Sequence, residues 1–342
     1  MKMWQKALIY IVLILAVVLV AGISATIGWR PILGARSRPL TGRTFDATPE
    51  RLARGAYLTK GVAPCLVCHS ESGNVNEMWV PQPGTEGGGQ AWPEPALSWV
   101  VVPNITPDRE TGAGDWSDDA IARAVREGIG HDGRTLFPLM PYKKFRNMSD
   151  EDLASIVTYI RTLPPIRKQR PASTVPFPIN RLINTEPEPL EGVVAEPDLS
   201  TPDKRGHYLV TIGVCADCHT PMDEKNQPIV GMDFAGGNTL EVPGKPVVAT
   251  ANLTPSANGI PYYTEDLFLE TIRTGRVRGR DISDLMPWRF FRNMSDEDLK
   301  SIFAYLKTVA PVDHYVDNAL PPTMCARCGH EHGGGERNKK AS

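Results

Sequence analysis

Twice in this chain a pair of cysteines three residues apart runs straight into a histidine: Cys65-Leu66-Val67-Cys68-His69 and Cys215-Ala216-Asp217-Cys218-His219. On one helical turn both thiols can reach the two vinyl groups of a single porphyrin, while the adjacent imidazole swings under the iron as proximal ligand. A lone Cys-x-x-Cys would read equally well as a redox dithiol or a zinc knuckle. Histidine directly after it, in duplicate, points instead to two covalently bound haem c groups held by Cys65, Cys68, Cys215 and Cys218, with His69 and His219 on the irons.

The chain has 342 residues, room for two domains of ordinary size, and 41% of them are hydrophobic, which is enough for real cores. A formal net charge of -2 argues for neither a nucleic-acid surface nor an electrostatic steering patch, so no nucleic-acid partner is expected. The 31 prolines and 30 glycines suit small helical domains with long irregular loops better than a continuous sheet.

Ala7 to Trp29 is a run of 23 residues without a charge, and a helix of that length spans about 34 Å, enough to cross a bilayer. A cleaved signal peptide has a shorter apolar region of roughly 7–15 residues. Residues 1–30 are therefore expected to be an uncleaved single-pass anchor, although Ala21 to Ala25 offers small residues that a peptidase accepts. Trp4 and Trp29 then mark the two interfaces, and Lys2 and Lys6 stay on the cytoplasmic side. Arg30, Arg36, Arg38 and Arg43 come after the span and oppose that orientation. The haem motifs decide it, because covalent attachment takes place outside the cytoplasmic membrane. The expected location is the inner membrane, with the haem domains facing the periplasm.

The chain also repeats itself at an offset of roughly 146 to 150 residues. Arg54-Gly55-Ala56-Tyr57-Leu58 answers Arg205-Gly206-His207-Tyr208-Leu209, and Asn104-Ile105-Thr106-Pro107 answers Asn252-Leu253-Thr254-Pro255. Phe145 to Leu153 recurs unchanged at Phe291 to Leu299. The expected organisation is a first domain over 46–165, a proline-rich linker over 166–197, a second domain over 198–312 and a tail over 313–342. Within each copy, Thr48-Pro49-Glu50 or Thr201-Pro202-Asp203 supplies a capping hydroxyl, a proline at the first helical position and an acid near the positive dipole end. A second helix comes after the Asn-x-Thr-Pro loop and stops at Gly128 or Gly275. A last helix, capped by Ser149 or Ser295, carries an apolar stripe through Leu153, Ile156, Val157 and Ile160, or Leu299, Ile302, Phe303 and Leu306.

A six-coordinate iron needs a second ligand, and each copy offers two methionines. Met148 and Met294 precede a serine cap, with Leu153 and Leu299 at the fourth helical position, so they read as hydrophobic staples. Met140 and Met286 lie in Leu-Met-Pro, a proline-braced loop that aims a side chain without adding it to a core stripe. These two are the expected axial ligands, and a thioether on iron raises the reduction potential. Tyr142, Phe145, Trp288 and Phe291 are expected to wall the crevices, a role that ordinary aromatic core packing would match.

With those parts in place both copies resemble class I cytochrome c domains, which implies an all-α fold of two tandem domains behind one transmembrane helix. Asn104-Ile105-Thr106-Pro107-Asp108, Trp116-Ser117-Asp118-Asp119, Asp132-Gly133-Arg134 and Met140-Pro141-Tyr142 further resemble the cytochrome subunits of membrane-bound periplasmic alcohol, aldehyde and sugar-acid dehydrogenases. Those subunits usually carry three haems; here Ser256 replaces the acid of copy one, and no third full domain is expected after Pro311. The resemblance implies an electron-transfer subunit that takes electrons from a dehydrogenase and passes them to quinone or a terminal oxidase. Two irons each saturated by His and Met favour relay, so no substrate chemistry of the chain's own is expected. The rival is a haem enzyme, a dihaem peroxidase or sulfur-compound oxidase, which needs an open iron position that Met140 and Met286 argue against.

Beyond the second copy, Cys325-Ala326-Arg327-Cys328-Gly329-His330-Glu331-His332 nearly repeats the haem motif, but Gly329 displaces the histidine. Three readings stand: a Cys325–Cys328 disulfide, a zinc or other metal knuckle using both thiols with His330 and His332, and a third haem. His131, His207 and His314 have no partner at recognisable spacing and read as surface or satisfied histidines. Gly87-Gly88-Gly89 reads as a flexible loop, since no phosphate-binding framework surrounds it.

Overall fold

The structure, a computed structural model, describes residues 2–73, 79–225, 227–241 and 244–339. The first half contains α1 (Met3–Ala25), α2 (Arg30–Leu33), α3 (Pro49–Tyr57, prolonged by a π-helical turn over Leu58–Val62), α4 (Cys65–Cys68), α5 (Asp118–Glu127), α6 (Tyr142–Phe145) and α7 (Asp150–Ile160). The second contains α8 (Ile179–Leu182), α9 (Pro202–Ile212), α10 (Cys215–His219), α11 (Glu265–Thr274), α12 (Trp288–Phe291) and α13 (Asp296–Leu306). Helices occupy 38% of the described residues. The strands among the described residues are antiparallel pairs of two or three residues, such as Gln90–Ala91 with Val101–Val102. The fold is thus mostly helical, with more irregular chain than the label all-α suggests.

Helix α1 buries none of its residues and is long and apolar enough to cross a membrane. It starts four residues before the uncharged run, because the Lys2 amide donates to Gln5 Oε1 at 2.7 Å and closes the first turn. It stops at Ala25, where the Thr26 hydroxyl turns back onto the Gly22 carbonyl at 2.7 Å. Trp29 therefore lies beyond the helix and donates to Ser24 Oγ at 3.0 Å.

The segment after α1 is strapped to the first half. Arg38 makes paired hydrogen bonds of 2.8 Å to the buried Asp119 carboxylate and a third of 2.8 Å to Glu127, and the Thr41 amide reaches Asp119 at 2.7 Å. Burial alone would raise the Asp119 carboxyl, but Arg38 and Thr41 outweigh it and hold it at about 2. Arg43 pairs with Asp150 at 2.8 Å. Two of the basic residues that opposed the orientation rule thus serve acids of α5 and α7.

Helix α3 crosses α7, and α9 crosses α13, at points where only glycine fits. A Cβ on Gly55 would lie 2.0 Å from the Ser155 carbonyl oxygen, and one on Gly206 1.9 Å from that of Ser301. Ser149 and Ser295 cap α7 and α13, accepting from Asp152 N at 3.0 Å and Asp298 N at 3.1 Å. Thr48 caps α3, whereas Thr201, expected to cap α9, makes no such bond; nearby, Asp198 takes the Ser200 amide and Lys204 instead.

The halves meet through a reciprocal exchange. Tyr208 on α9 donates to Asp152 on α7 at 2.7 Å and accepts from Ser149 N at 3.2 Å. Tyr57 on α3 does the same with Asp298 and the Ser295 amide. Arg54 and Arg205 ion-pair with the same two aspartates at 2.7 and 2.5 Å. One apolar cluster runs through both halves, from Leu58 and Leu153 to Leu209 and Leu299. Tyr208→Phe should therefore lower stability by on the order of 1–3 kcal/mol, because it leaves the buried Ser149 amide without its partner and takes one of two donors from Asp152 Oδ2, which keeps Arg54. Thermal unfolding followed by circular dichroism measures the loss; a melting temperature equal to wild type would contradict it.

The proline-rich 166–197 segment builds no third core, yet it is ordered against the first unit. Asn104 Nδ2 donates to the Ile166 carbonyl at 2.7 Å, Arg170 binds the Gly88 carbonyl at 3.1 Å, and the Asp150 amide donates to Val194. Its helix α8 packs on α2. Tail residues 313–339 likewise fold back, pairing Pro322–Met324 with Glu331–Gly333 and packing Cys325 and Cys328 on Met232, Ala235 and Val312.

Candidate haem centres

Each Cys-x-x-Cys-His forms its own short helical turn, α4 or α10, directly after α3 and its π-helical turn or after α9. His69 Nδ1 lies 2.9 Å from the Pro103 carbonyl oxygen, and His219 Nδ1 lies 2.8 Å from that of Ala251. A carbonyl only accepts, so both Nδ1 atoms carry the proton and both Nε2 atoms keep a lone pair for metal. Burial lowers the pKa of each imidazole, against the carbonyl bond that raises it, which favours the neutral ligand form. Burial pushes the Cys65, Cys68 and Cys215 thiols up to about 12 and Cys218 to about 11. A reactive redox dithiol needs the opposite shift, so the raised values argue against disulfide exchange at these cysteines.

Met140 and Met286 sit half-buried at the edge of the main core, whereas Met148 and Met294 are 0% and 3% exposed within it. The loop methionines are aimed by an inverse γ-turn. Pro141 has φ -81 and ψ 48, Pro287 has φ -76 and ψ 48, and the amides of Tyr142 and Trp288 return to the Met140 and Met286 carbonyls at 2.8 and 2.7 Å. The next ring locks the turn. Tyr142 covers Gly128 at the end of α5, and Trp288 covers Gly275 at the end of α11. Both glycines are left-handed, with φ of 71° and 72°, and a Cβ there would fall within 2.6 Å of the ring. Tyr142, Phe145, Trp288 and Phe291 are all buried.

This order of leading helix, thiol turn, proline-braced methionine and closing helix coincides with a recognised family: residues 52–164 match the family model described as cytochrome c. This chain carries a cytochrome c domain. It is also similar to a nicotinate dehydrogenase subunit of Pseudomonas putida, 32% identical over 64% of this chain and 18% of the relative. The gluconate 2-dehydrogenase cytochrome c subunit of Pantoea cypripedii is 30% identical over 78% of this chain and 62% of its own length. A diheme cytochrome c-type protein of Cereibacter sphaeroides is 29% identical over 87% of this chain and 97% of its own length. The chain spans less than two thirds of the first two relatives. It resembles dehydrogenase cytochrome c subunits and a diheme cytochrome c.

The donor set of the cytochrome c domain fits covalent haem c: two thiols on one turn, an imidazole with its Nε2 lone pair free, and a thioether on a rigid turn. In the tail, the metal grouping expected from sequence needs correction. His330 turns out to the Met222 carbonyl at 2.7 Å, and the buried cluster is His314, Cys325, Cys328 and His332. His314 is thus buried and hydrogen-bonded to the Ala235 carbonyl, and it also joins this cluster. It lies eleven positions before Cys325, and only the fold-back of the tail brings it in, so no local spacing signals it. No disulfide joins Cys325 to Cys328 in the structure. His131 stacks on Trp116 with ring centroids 4.0 Å apart, and His207 leans on Tyr305.

Proposed function

We propose that this chain is a membrane-anchored electron-transfer cytochrome of two tandem class I domains, residues 46–165 and 198–312. One haem would be held by Cys65, Cys68, His69 and Met140, the other by Cys215, Cys218, His219 and Met286. The observation that carries the reading is the repetition of detail: each proximal imidazole is fixed by a backbone carbonyl, and each loop methionine by a Met-Pro-aromatic γ-turn.

Haem c supplies reversible one-electron chemistry when bound. The chain's own residues hold the donor atoms in place across a change of charge, which keeps reorganisation small. The apolar cluster through both units excludes water from their shared interior. The relatives named as dehydrogenase subunits support a periplasmic or membrane dehydrogenase as electron donor, with quinone or a terminal oxidase as acceptor. Helix α1 supports an inner-membrane anchor with the haem units on the periplasmic face.

The deciding experiment purifies the intact chain from detergent-solubilised membranes and offers the co-purifying fraction alcohol, aldehyde or sugar-acid substrates. Haem reduction by one of these is the expected result. Peroxide turnover by a high-spin haem, or reduction by dithionite alone, would overturn the proposal.

A further inference from the structure

Among the described residues outside the haem motifs, one cluster of metal-ligating side chains is gathered and buried. His314, Cys325, Cys328 and His332 are all buried, and their ligand atoms lie within 4.8 Å of one another. His314 Nδ1 faces the Ala235 carbonyl oxygen and His332 Nδ1 faces that of Gly333, both at 2.9 Å. Carbonyls only accept, so both Nδ1 atoms are protonated and both Nε2 atoms present lone pairs. Those nitrogens meet at 3.1 Å, with Cys325 Sγ 3.4 Å from His314 Nε2. Two opposed lone pairs in an apolar pocket repel unless a cation sits between them.

We propose that His314, Cys325, Cys328 and His332 bind one structural zinc ion that clamps the tail to the loop behind the second haem motif. Two thiolates and two neutral imidazoles are a tetrahedral zinc set, and for zinc–nitrogen bonds of 2.0–2.1 Å the N···N edge of a tetrahedron is about 3.3 Å, close to the observed contact. A disulfide would consume both sulfurs and leave the facing nitrogens unrelieved. Outer-shell support is in place: Asn338 Nδ2 donates to the His332 carbonyl at 2.7 Å, and the Cys325 amide donates to the His330 carbonyl at 2.8 Å.

The first half shows what the ion does for the second. Gly89 N bonds the His69 carbonyl and Gly236 N bonds the His219 carbonyl, both at 2.8 Å, so Gly88 and Ala235 occupy equivalent places. Arg170 grips Gly88 O at 3.1 Å and pairs with Glu71. In the second half the His314 imidazole takes that carbonyl instead. Asn252, next to the Ala251 carbonyl that fixes His219, donates to the His314 backbone at 2.9 Å. A metal clamp thus stands where the first unit uses an arginine–glutamate pair.

The test uses the full-length, haem-loaded protein made in zinc-supplemented medium and quantified by elemental analysis. About one zinc per chain is expected, falling at least about tenfold in Cys325→Ser/Cys328→Ser and in His314→Ala, while His330→Ala keeps it. Zinc-edge X-ray absorption of the unmutated protein needs no variant to fold, and should report two sulfurs near about 2.3 Å and two nitrogens near about 2.0 Å. Absence of zinc, a Cys325–Cys328 disulfide in the intact mass, a shell without sulfur, or zinc lost from His330→Ala but kept by His314→Ala would each overturn the proposal.

Discussion

Alanine at Met140 or Met286 should leave the porphyrin covalently attached while removing the sulfur-to-iron charge-transfer band of one haem, opening that iron to small ligands and lowering its potential by on the order of 0.1 V, a fraction of the roughly 0.8 V that axial ligands control. The γ-turn and the ring beside it survive the change, because Tyr142 and Trp288 are held by Gly128 and Gly275 rather than by the thioether. The fold should therefore persist with one ligand missing. Alanine at Met148 or Met294 is the matched control. Those side chains are buried core, so their loss should cost about 2–5 kcal/mol of stability and leave both bands intact. The two outcomes separate a ligand from a packing residue by optical and redox titration. An unchanged spectrum in both Met140→Ala and Met286→Ala would remove the basis for two saturated irons.

Cys68→Ala or Cys218→Ala should lower covalent haem from two per chain toward one and destabilise the whole protein, not only the altered half. A cofactor that binds the folded state alone stabilises it, and losing that linkage shifts the equilibrium toward unfolding. The effect spreads because Leu58, Met148 and Leu209 belong to one cluster and because Tyr57 and Tyr208 each cap the other half's helix start. Haem per polypeptide after extraction with acidified acetone, together with calorimetry, measures both parts. Two retained haems would contradict the attachment assignment, and an undisturbed second transition would contradict the shared core.

The candidate attachment residues stand out in the sequence because covalent haem capture needs one residue pattern within five positions, and the pattern occurs twice. Met140 and Met148 also differ in local sequence, one in a proline-braced loop and one at a staple position, and the structure leaves the first half-buried and buries the second. Tyr57 and Tyr208 looked like mere marks of a repeat, and their crosswise bonds to Asp298 and Asp152 depend on how two helix pairs dock, which no periodicity encodes. His314 was invisible for a related reason. Its partners lie 11 and 18 positions away and meet it only after the tail folds back. The proline-rich segment looked like a loose connector because composition does not reveal that Asn104 and Arg170 bond the chain across it.

The strap after α1 bears on how far the molecule can reach. Arg38 and Thr41 fasten the chain to Asp119 within about sixteen residues of the span's last turn, leaving no slack of the kind that glycine- and serine-rich tethers provide. With α1 in a bilayer, this strap and the packing of α2 on α8 would hold the first half close to the lipid surface.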